Sequence, residues 1–128
     1  MQTNLVVDTS SYTQVVDITD RVSELCDKKT SMINVFVRHS TCAITTVSMD
    51  PGLDQDLLEA VWNMIPQAEF RHGRGSEHAR SHIISSLLGP SLSLPAKNGE
   101  LLLGQWQRIV LVELDGPKSR QVVVSALQ

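Results

Sequence analysis

The last third of the chain is a succession of short apolar segments, and this pattern restricts the fold more than any other feature. The segments are Leu92–Leu94, Leu101–Leu103, Arg108–Leu114 and Gln121–Leu127, each bounded by turn residues as β-strands are. Asn98-Gly99 lies between the first two, and this dipeptide accepts the positive φ values that a tight hairpin turn requires. The pattern argues against an all-helical fold.

The first two thirds combine strand patterns with helical spacing. Strands are predicted at Asn4–Asp8, Tyr12–Val16, Met32–His39 and Ala43–Ser48. Helical spacing of apolar residues follows Asp17 as far as Cys26, extends from Leu53 to Ile65 before Pro66, and extends from Ser76 to Leu87 before Gly89-Pro90. The sequence therefore predicts one α+β domain over residues 1–128, with mixed, mostly antiparallel β-sheets and two or three helices.

The charge balance and the aromatic content exclude some classes of function. Lys plus Arg is 11 and Asp plus Glu is 14, a net charge of -3, which leaves no basic stripe for nucleic acid. The two tryptophans form no stacking platform for single strands, so a nucleic-acid partner is not expected. No apolar run reaches the roughly 18–20 residues of a membrane span, and a cytoplasmic protein without a membrane partner is expected. Cys26 and Cys42 are expected to be free thiols.

Four histidines are candidates for metal binding. His39 ends a predicted strand, His72 lies in a Gly-rich loop, and His82 lies on the helix that follows. Imidazole is the commonest transition-metal ligand, and three histidines with open coordination positions suit a catalytic zinc ion. Solvated or hydrogen-bonded histidines are the alternative. The i, i+4 spacing of His78 and His82 is a separate possibility, although no Glu follows His78 where zincins require it.

Two further segments carry reactive residue types. Cys42 follows His39 by three residues, and a Cys–His pair can form an activated thiolate, but a packed small thiol is favoured because the two side chains point apart on an extended segment. Gly73-Arg74-Gly75-Ser76 precedes a helix and could bind an anion through free amides and Arg74, or simply form a turn.

Two polar interruptions of the β-region are candidates for a pocket. Trp106 and Gln107 lie between two apolar strands, where they would either line a pocket or face water on an edge strand. Glu113 interrupts an apolar run, and a carboxylate there is costly unless it is paired. Glu113 is therefore either a functional acid or the partner of Arg120.

Several motifs together resemble the YjbQ-like family, often labelled secondary thiamine-phosphate synthase. The resemblance extends from about Val35 to the C-terminus. The motifs are the His39-Ser-Thr run, Asp50-Pro51, Phe70–His72, His82-Ile83, the block Ser85–Pro95, Asn98-Gly99, Leu103–Gln107 and Glu113-x-Asp115-Gly116-Pro117.

The resemblance implies a compact α+β domain that assembles as a trimer, with a metal-type pocket formed by His39, His72 and His82. It also implies a weak thiamine-phosphate synthase activity, which joins a pyrimidine pyrophosphate to a thiazole phosphate. The chain departs from the family pattern at Thr46–Met49, which is one residue shorter and lacks an Asn-Glu pair. Gln105 replaces a Thr, and Cys42 stands where Ala is commoner.

The resulting hypothesis is a cytoplasmic enzyme that binds a divalent metal, zinc, through His39, His72 and His82 and acts on a phosphorylated small molecule. Glu113 and Arg120 are assigned catalytic roles, with Glu113 as general base or orienting group. Arg74, Trp106 and Gln107 are assigned to substrate binding, and the phosphate is assigned to Arg74 or Arg120. The alternative is a non-catalytic trimeric protein that binds a metal or an anion.

Overall fold

Two antiparallel β-sheets and three helices make up the fold in the computed structural model, which describes residues 1–73 and 75–128. In chain order, the elements within these residues are β1 (Gln2–Asp8), β2 (Gln14–Asp17), α1 (Thr19–Ser23), β3 (Met32–Val37), β4 (Cys42–Val47), α2 (Leu53–Met64), α3 (Ser76–Leu88), β5 (Ser91–Lys97), β6 (Glu100–Leu101), β7 (Arg108–Glu113) and β8 (Ser119–Leu127). The predicted α+β class is confirmed.

The strands divide into a five-stranded sheet of order β1-β8-β3-β5-β6 and a three-stranded sheet of order β2-β7-β4. Every strand pairing between the described residues is antiparallel. The predicted hairpin turn is confirmed: Asn98 (φ 55°) and Gly99 (φ 83°) join β5 to β6. The strands β1 and β2 follow one another in the chain but enter different sheets.

Strand β7 is buried on both of its faces, which explains its unbroken apolar run. Ile109 and Leu111 pack in the core between the two sheets. Val110 and Val112 point the other way and pack with Leu58 of α2 and, from α3, Ile84. The three-stranded sheet is therefore the middle layer, between the five-stranded sheet and the pair α2 and α3.

The helix boundaries follow the local sequence. Helix α2 ends at Met64, because the residue before Pro66 is driven out of helical conformation. Helix α3 ends at Leu88, ahead of Gly89 with a φ of 100°. Helix α1 is shorter than the spacing predicted, since the chain after Ser23 continues in i to i+3 hydrogen bonds instead of α-helical ones.

The outer face of the five-stranded sheet carries several exposed apolar side chains. Val6, Met32, Phe36 and Leu127 are each between 41% and 50% exposed. Among the described residues, no helix is long and apolar enough to cross a membrane.

The turn between β7 and β8 packs tightly against the segment that connects β1 to β2. A Cβ atom at Gly116 would lie 2.3 Å from the backbone oxygen of Ser11 and 2.9 Å from Oγ1 of Thr9. Only glycine fits there, because real Cβ contacts are never that short. The backbone N–H of Leu114, just before this turn, donates to the oxygen of Thr41 at 3.2 Å and links it to the β3–β4 connection. Both segments line the cavity described next.

Candidate metal centre and its cavity

The imidazoles of His72, His78 and His82 meet at the start of α3. One nitrogen from each ring lies within 4.8 Å of the other two, and the Nε2 atoms of His78 and His82 are 3.1 Å apart. His78 and His82 share one face of α3 because residues i and i+4 are neighbours on a helix. His72 comes from the loop before the helix, and its ring stacks on that of His78 with centroids 5.0 Å apart.

This donor set fits a divalent metal ion. Two nitrogen ligands of a tetrahedral zinc ion lie roughly 3.3 Å apart, given zinc–nitrogen distances of about 2.0–2.1 Å, and the His78–His82 spacing is close to that. Imidazole ligands suit zinc, copper, iron and nickel. Asp115 Oδ2 lies 3.5 Å from His78 Nδ1, and a carboxylate in that place orients a ligating imidazole.

His39 lies on the same cavity but is bonded differently. Its Nε2 accepts the backbone N–H of Gln121 at 2.9 Å. Burial, reinforced by the charge of Arg120, lowers the pKa of His39 below its ordinary value and favours the neutral ring. A neutral imidazole has one lone pair and one N–H, so the proton is on Nδ1. The predicted role of His39 as a metal ligand would require the bond to Gln121 to break.

The rings line an open cavity of about 690 Å³, which we call the histidine cavity; its wall includes all four histidines of the chain. Two exposed cations, Arg38 and Lys118, also line it. Lys118 Nζ donates to Asp115 Oδ2 at 2.7 Å, so Asp115 lies between a cation and an imidazole. The cavity thus combines a candidate metal centre with positive charge.

A smaller cavity of about 390 Å³ shares two of these histidines, His72 and His82. Its remaining wall consists of the apolar residues Phe70, Ala79 and Ile83 and of Arg71. A molecule in contact with the three imidazoles can therefore place an apolar group on one side of them and a charged group on the other.

Glu113 and Arg120 form a buried ion pair next to the histidine cavity. Arg120 Nε donates to Glu113 Oε1 at 2.9 Å, and Arg120 Nη2 donates to Glu113 Oε2. The Thr9 hydroxyl also donates to Oε1 at 2.7 Å. The backbone N–H groups of Leu114 and Asp115 donate to Oε2 at 3.0 and 3.1 Å. Five donors therefore surround this carboxylate.

Glu113 is thus the partner of Arg120, which is one of the two roles that the sequence leaves open for it. Burial by itself raises the pKa of Glu113, but the hydrogen bonds from Arg120, Thr9 and the backbone outweigh it and hold that pKa below its ordinary value. Arg120 Nη2 also bonds the hydroxyl and carbonyl oxygens of Thr41 at 3.0 and 3.2 Å. The pair joins the two connections of the cavity wall, and a direct catalytic role for either residue stays a prediction.

The predicted substrate residues Trp106 and Gln107 lie apart from the histidine cavity and do not line it. Trp106 is 69% exposed in the turn before β7. Gln107 accepts the N–H of Gly104 at 3.0 Å and donates to Thr46 Oγ1 at 3.2 Å. The two residues were expected either to line a pocket or to face water, and the structure favours exposure to water. Arg74, the third predicted substrate residue, lies outside the described residues.

The thiol of Cys42 is a core side chain. Cys42 is 1% exposed, and burial raises its pKa to about 12. Cys26 is partly buried, and both cysteines are free, as predicted. The packed-thiol interpretation of Cys42 is therefore confirmed.

Comparison with known proteins agrees with this fold and places the chain in a family. The family model described as UPF0047 protein YjbQ-like matches residues 3–128. The chain belongs to the YjbQ-like family. A UPF0047 protein of Archaeoglobus fulgidus is 35% identical over 124 residues, which cover 96% of this chain and 98% of that protein. YugU of Bacillus subtilis, another UPF0047 protein, is 29% identical over 133 residues and 99% of both chains.

Solved structures of YjbQ-like proteins share the fold. A YbjQ-like protein of Sulfolobus solfataricus superposes with a TM-score of 0.90 at 31% identity, over 98% of this chain and 95% of that one. A conserved hypothetical protein of Thermus thermophilus superposes with a TM-score of 0.88 at 36% identity, over 98% and 99% of the two chains. The match includes the N-terminal strands, which the sequence motifs alone did not cover.

Three residues of this site have only weak signals in the sequence. The i, i+4 spacing with His82 points to His78, but the Glu that zincins require is missing. The sequence marks Asp115 only through the family motif Glu113-x-Asp115-Gly116-Pro117, and it does not single out Lys118. A carboxylate and an amine beside a tight Gly-Pro turn are a usable signal, since such a turn holds its neighbours in a fixed position.

Proposed function

We propose that the protein is a small-molecule enzyme that binds one divalent metal ion, zinc, through His72, His78 and His82 and acts on a phosphorylated substrate. The observation that carries the proposal is the convergence of three imidazoles within 4.8 Å on an open cavity. Three protein ligands leave a coordination position free, as in catalytic rather than structural zinc sites. When bound, the metal supplies Lewis acidity or lowers the pKa of a bound water.

The charge and the shape of the cavities support the substrate class. Arg38 and Lys118 provide charge-assisted hydrogen bonds for a phosphate, which are about twice as strong as neutral ones. The adjoining apolar cavity between Phe70 and Ile83 suits a ring or another apolar group. A phosphorylated heterocycle meets both requirements. The formation of thiamine phosphate from a pyrimidine pyrophosphate and a thiazole phosphate, in the cytoplasm, is the reaction we propose first.

The remaining groups of the site have supporting roles in this proposal. Asp115 orients His78 and is itself held by Lys118. His39 keeps a proton on Nδ1 and serves as a hydrogen-bond donor to the substrate. The Glu113–Arg120 pair positions the two connections that carry these side chains.

The assembly belongs to the same proposal. A homotrimer, which the family resemblance implies, would cover apolar surface that is exposed in the single chain. The side chains that support a subunit contact are Met32, Phe36 and Leu127 on the outer face of the five-stranded sheet.

Metal analysis of three proteins purified without a histidine tag tests the metal site. Wild type is expected to contain one zinc per chain, and His78→Ala is expected to lose it. His39→Ala is the matched control, because it removes an imidazole from the same cavity but outside the cluster, and it should retain the metal. Loss of metal in His39→Ala with retention in His78→Ala would instead support the ligand set His39, His72 and His82.

Activity of the zinc-loaded protein tests the reaction. Thiamine phosphate formation is measured by chromatography for wild type, Lys118→Ala and a metal-free sample. We expect turnover in wild type, a lower rate in Lys118→Ala with weaker substrate binding, and none without metal. Phosphate binding without turnover of any phosphorylated substrate would replace the enzyme by the non-catalytic metal- and anion-binding alternative.

A further inference from the structure

Helix α3 carries a buried cation on a different face from its histidines. Arg80 is two residues from both His78 and His82, about 200° around the helix axis from each. It is only 5% exposed. Its Nη2 donates to the backbone oxygen of Trp62, and its guanidinium carbon lies 4.9 Å from the centroid of the Trp62 ring. Arg80 therefore belongs to a different part of the molecule from the histidine cavity.

The charge of Arg80 is not balanced by the described residues. None of the ion pairs among residues 1–73 and 75–128 includes Arg80, and its Nε–H has no hydrogen-bond partner. The oxygen of Trp62 belongs to the last turn of α2, whose end carries a partial charge of only about −0.5. A guanidinium carries a full positive charge and five N–H donors. Burial of such a group without a counter-charge is costly.

The same guanidinium lines a cavity of about 370 Å³ at the end of α2, which we call the Arg80 cavity. The side chains of Asn63 and Gln67 line it as well, and each carries an NH₂ group that can donate two hydrogen bonds. The wall is completed by Trp62, Ile65 and Pro66. Among these lining residues there is no carboxylate, so the cavity offers donors and positive charge to whatever enters it.

We propose that the Arg80 cavity is a second binding site, separate from the histidine cavity, which holds a small oxyanion such as a phosphate or carboxylate group. The anion accepts hydrogen bonds from Arg80 and from the amides of Asn63 and Gln67. It supplies the counter-charge that the fold leaves out. The proposal does not depend on the metal site or on the proposed reaction.

Trp62 provides a direct optical report of this site. The chain has two tryptophans, so Trp106→Phe leaves Trp62 as the single indole, in contact with Arg80. The emission of this protein is measured during titration with inorganic phosphate and, separately, with acetate, against sodium chloride at matched ionic strength. A saturable change with phosphate or acetate but not with chloride is expected, and the relative affinities identify which oxyanion the site prefers.

Three variants in the same background locate the binding. Arg80→Gln should weaken binding by about tenfold or more, since hydrogen bonds to charged groups are its main contribution. The double variant Asn63→Ala/Gln67→Ala changes only exposed side chains, so it tests the cavity even if Arg80→Gln does not fold, and it should weaken binding several-fold. Lys118→Ala removes a cation of the histidine cavity and should leave the titration unchanged.

The proposal is overturned if neither oxyanion gives a saturable change. It is also overturned if the double variant binds like the parent protein. A titration that is abolished by Lys118→Ala would assign the anion to the histidine cavity and overturn it as well. A purely structural Arg80, which only caps α2, predicts the first of these results.

Discussion

The substitution Glu113→Gln tests how far the cavity wall depends on the buried ion pair. The change keeps the size of the side chain but leaves the guanidinium of Arg120, which is 1% exposed, without its counter-charge. It also replaces one of two acceptor oxygens by an NH₂ group that faces donors. Removal of one partner of a buried pair costs about 3–5 kcal/mol. For a domain of this size that corresponds to a fall in Tm of roughly 10–20 °C.

Urea unfolding followed by tryptophan fluorescence, at one protein concentration, measures this loss. Arg108→Gln is the matched control, because the Arg108–Asp17 pair has similar chemistry (Nε to Oδ2, 2.7 Å) but side chains that are 37% and 27% exposed. The control should lose less than about 1 kcal/mol. In the double variant Glu113→Gln/Arg120→Met, the loss should be smaller than the sum of the single losses.

The stability that the Glu113–Arg120 pair contributes should fall at low pH. The pKa of Glu113 in the folded state lies below its ordinary value of 4.5, so its stabilisation is complete above about pH 4.5 and is lost as the pH falls through the folded pKa. Wild type should therefore lose more stability below pH 4.5 than Glu113→Gln does. A loss for Glu113→Gln no larger than for Arg108→Gln, with parallel pH profiles, would refute the reasoning.

Four further predictions concern packing, the thiols and assembly. Ile84→Ala should lower the free energy of unfolding by about 2–5 kcal/mol, because Ile84 is 2% exposed in the core beneath α3, and a loss below about 1 kcal/mol would contradict that packing. Gly116→Ala should cost at least about 1–3 kcal/mol in urea unfolding, and wild-type stability would disprove the close approach. A thiol reagent at neutral pH should modify Cys26 first and Cys42 only on unfolding. Equal rates of modification at the two cysteines would be inconsistent with a pKa of about 12 for Cys42. Light scattering should give three times the 14.1 kDa chain mass for wild type and less for Phe36→Asp, whereas a wild-type monomer would refute the trimer.

The elements of the fold follow from local patterns, but the order of the strands does not. The run Ile109–Val112 predicts a strand because it is apolar and β-branched, and the structure confirms it in β7. Nothing local predicts that β1 pairs with β8, which requires residues such as Gln2 and Ser125 to meet across almost the whole chain. Hydrophobic periodicity specifies which face of a strand is buried, while the neighbour of that strand depends on the packing of all the layers.

In the candidate site, too, local sequence predicts some features and tertiary packing decides others. His72 and His82 were predicted to lie together, and the structure brings them together. The family resemblance implies His39 as the third ligand, but the backbone N–H of Gln121 donates to the lone pair of its Nε2. That bond depends on where β8 runs beside β3, and His39 and its neighbours in the sequence carry no information about it. A tryptophan between two amides likewise looks the same in a pocket or in an exposed turn, so its neighbours in the sequence do not predict that Trp106 is exposed.

Because a side chain does not fit at Gly116, this position has a consequence for protein engineering. Asp115 and Lys118, which hold one side of the histidine cavity, are attached to a stretch of main chain that accepts no added side-chain atom. That side of the cavity therefore tolerates little change, and substitutions at position 116 are expected to destabilise the fold. Phe70 and Arg71, by contrast, line the smaller adjoining cavity and belong to a loop whose neighbouring residues are largely exposed. Substitutions that vary the surroundings of the three imidazoles are better placed in that loop than at position 116, because they leave the close contact at Gly116 intact.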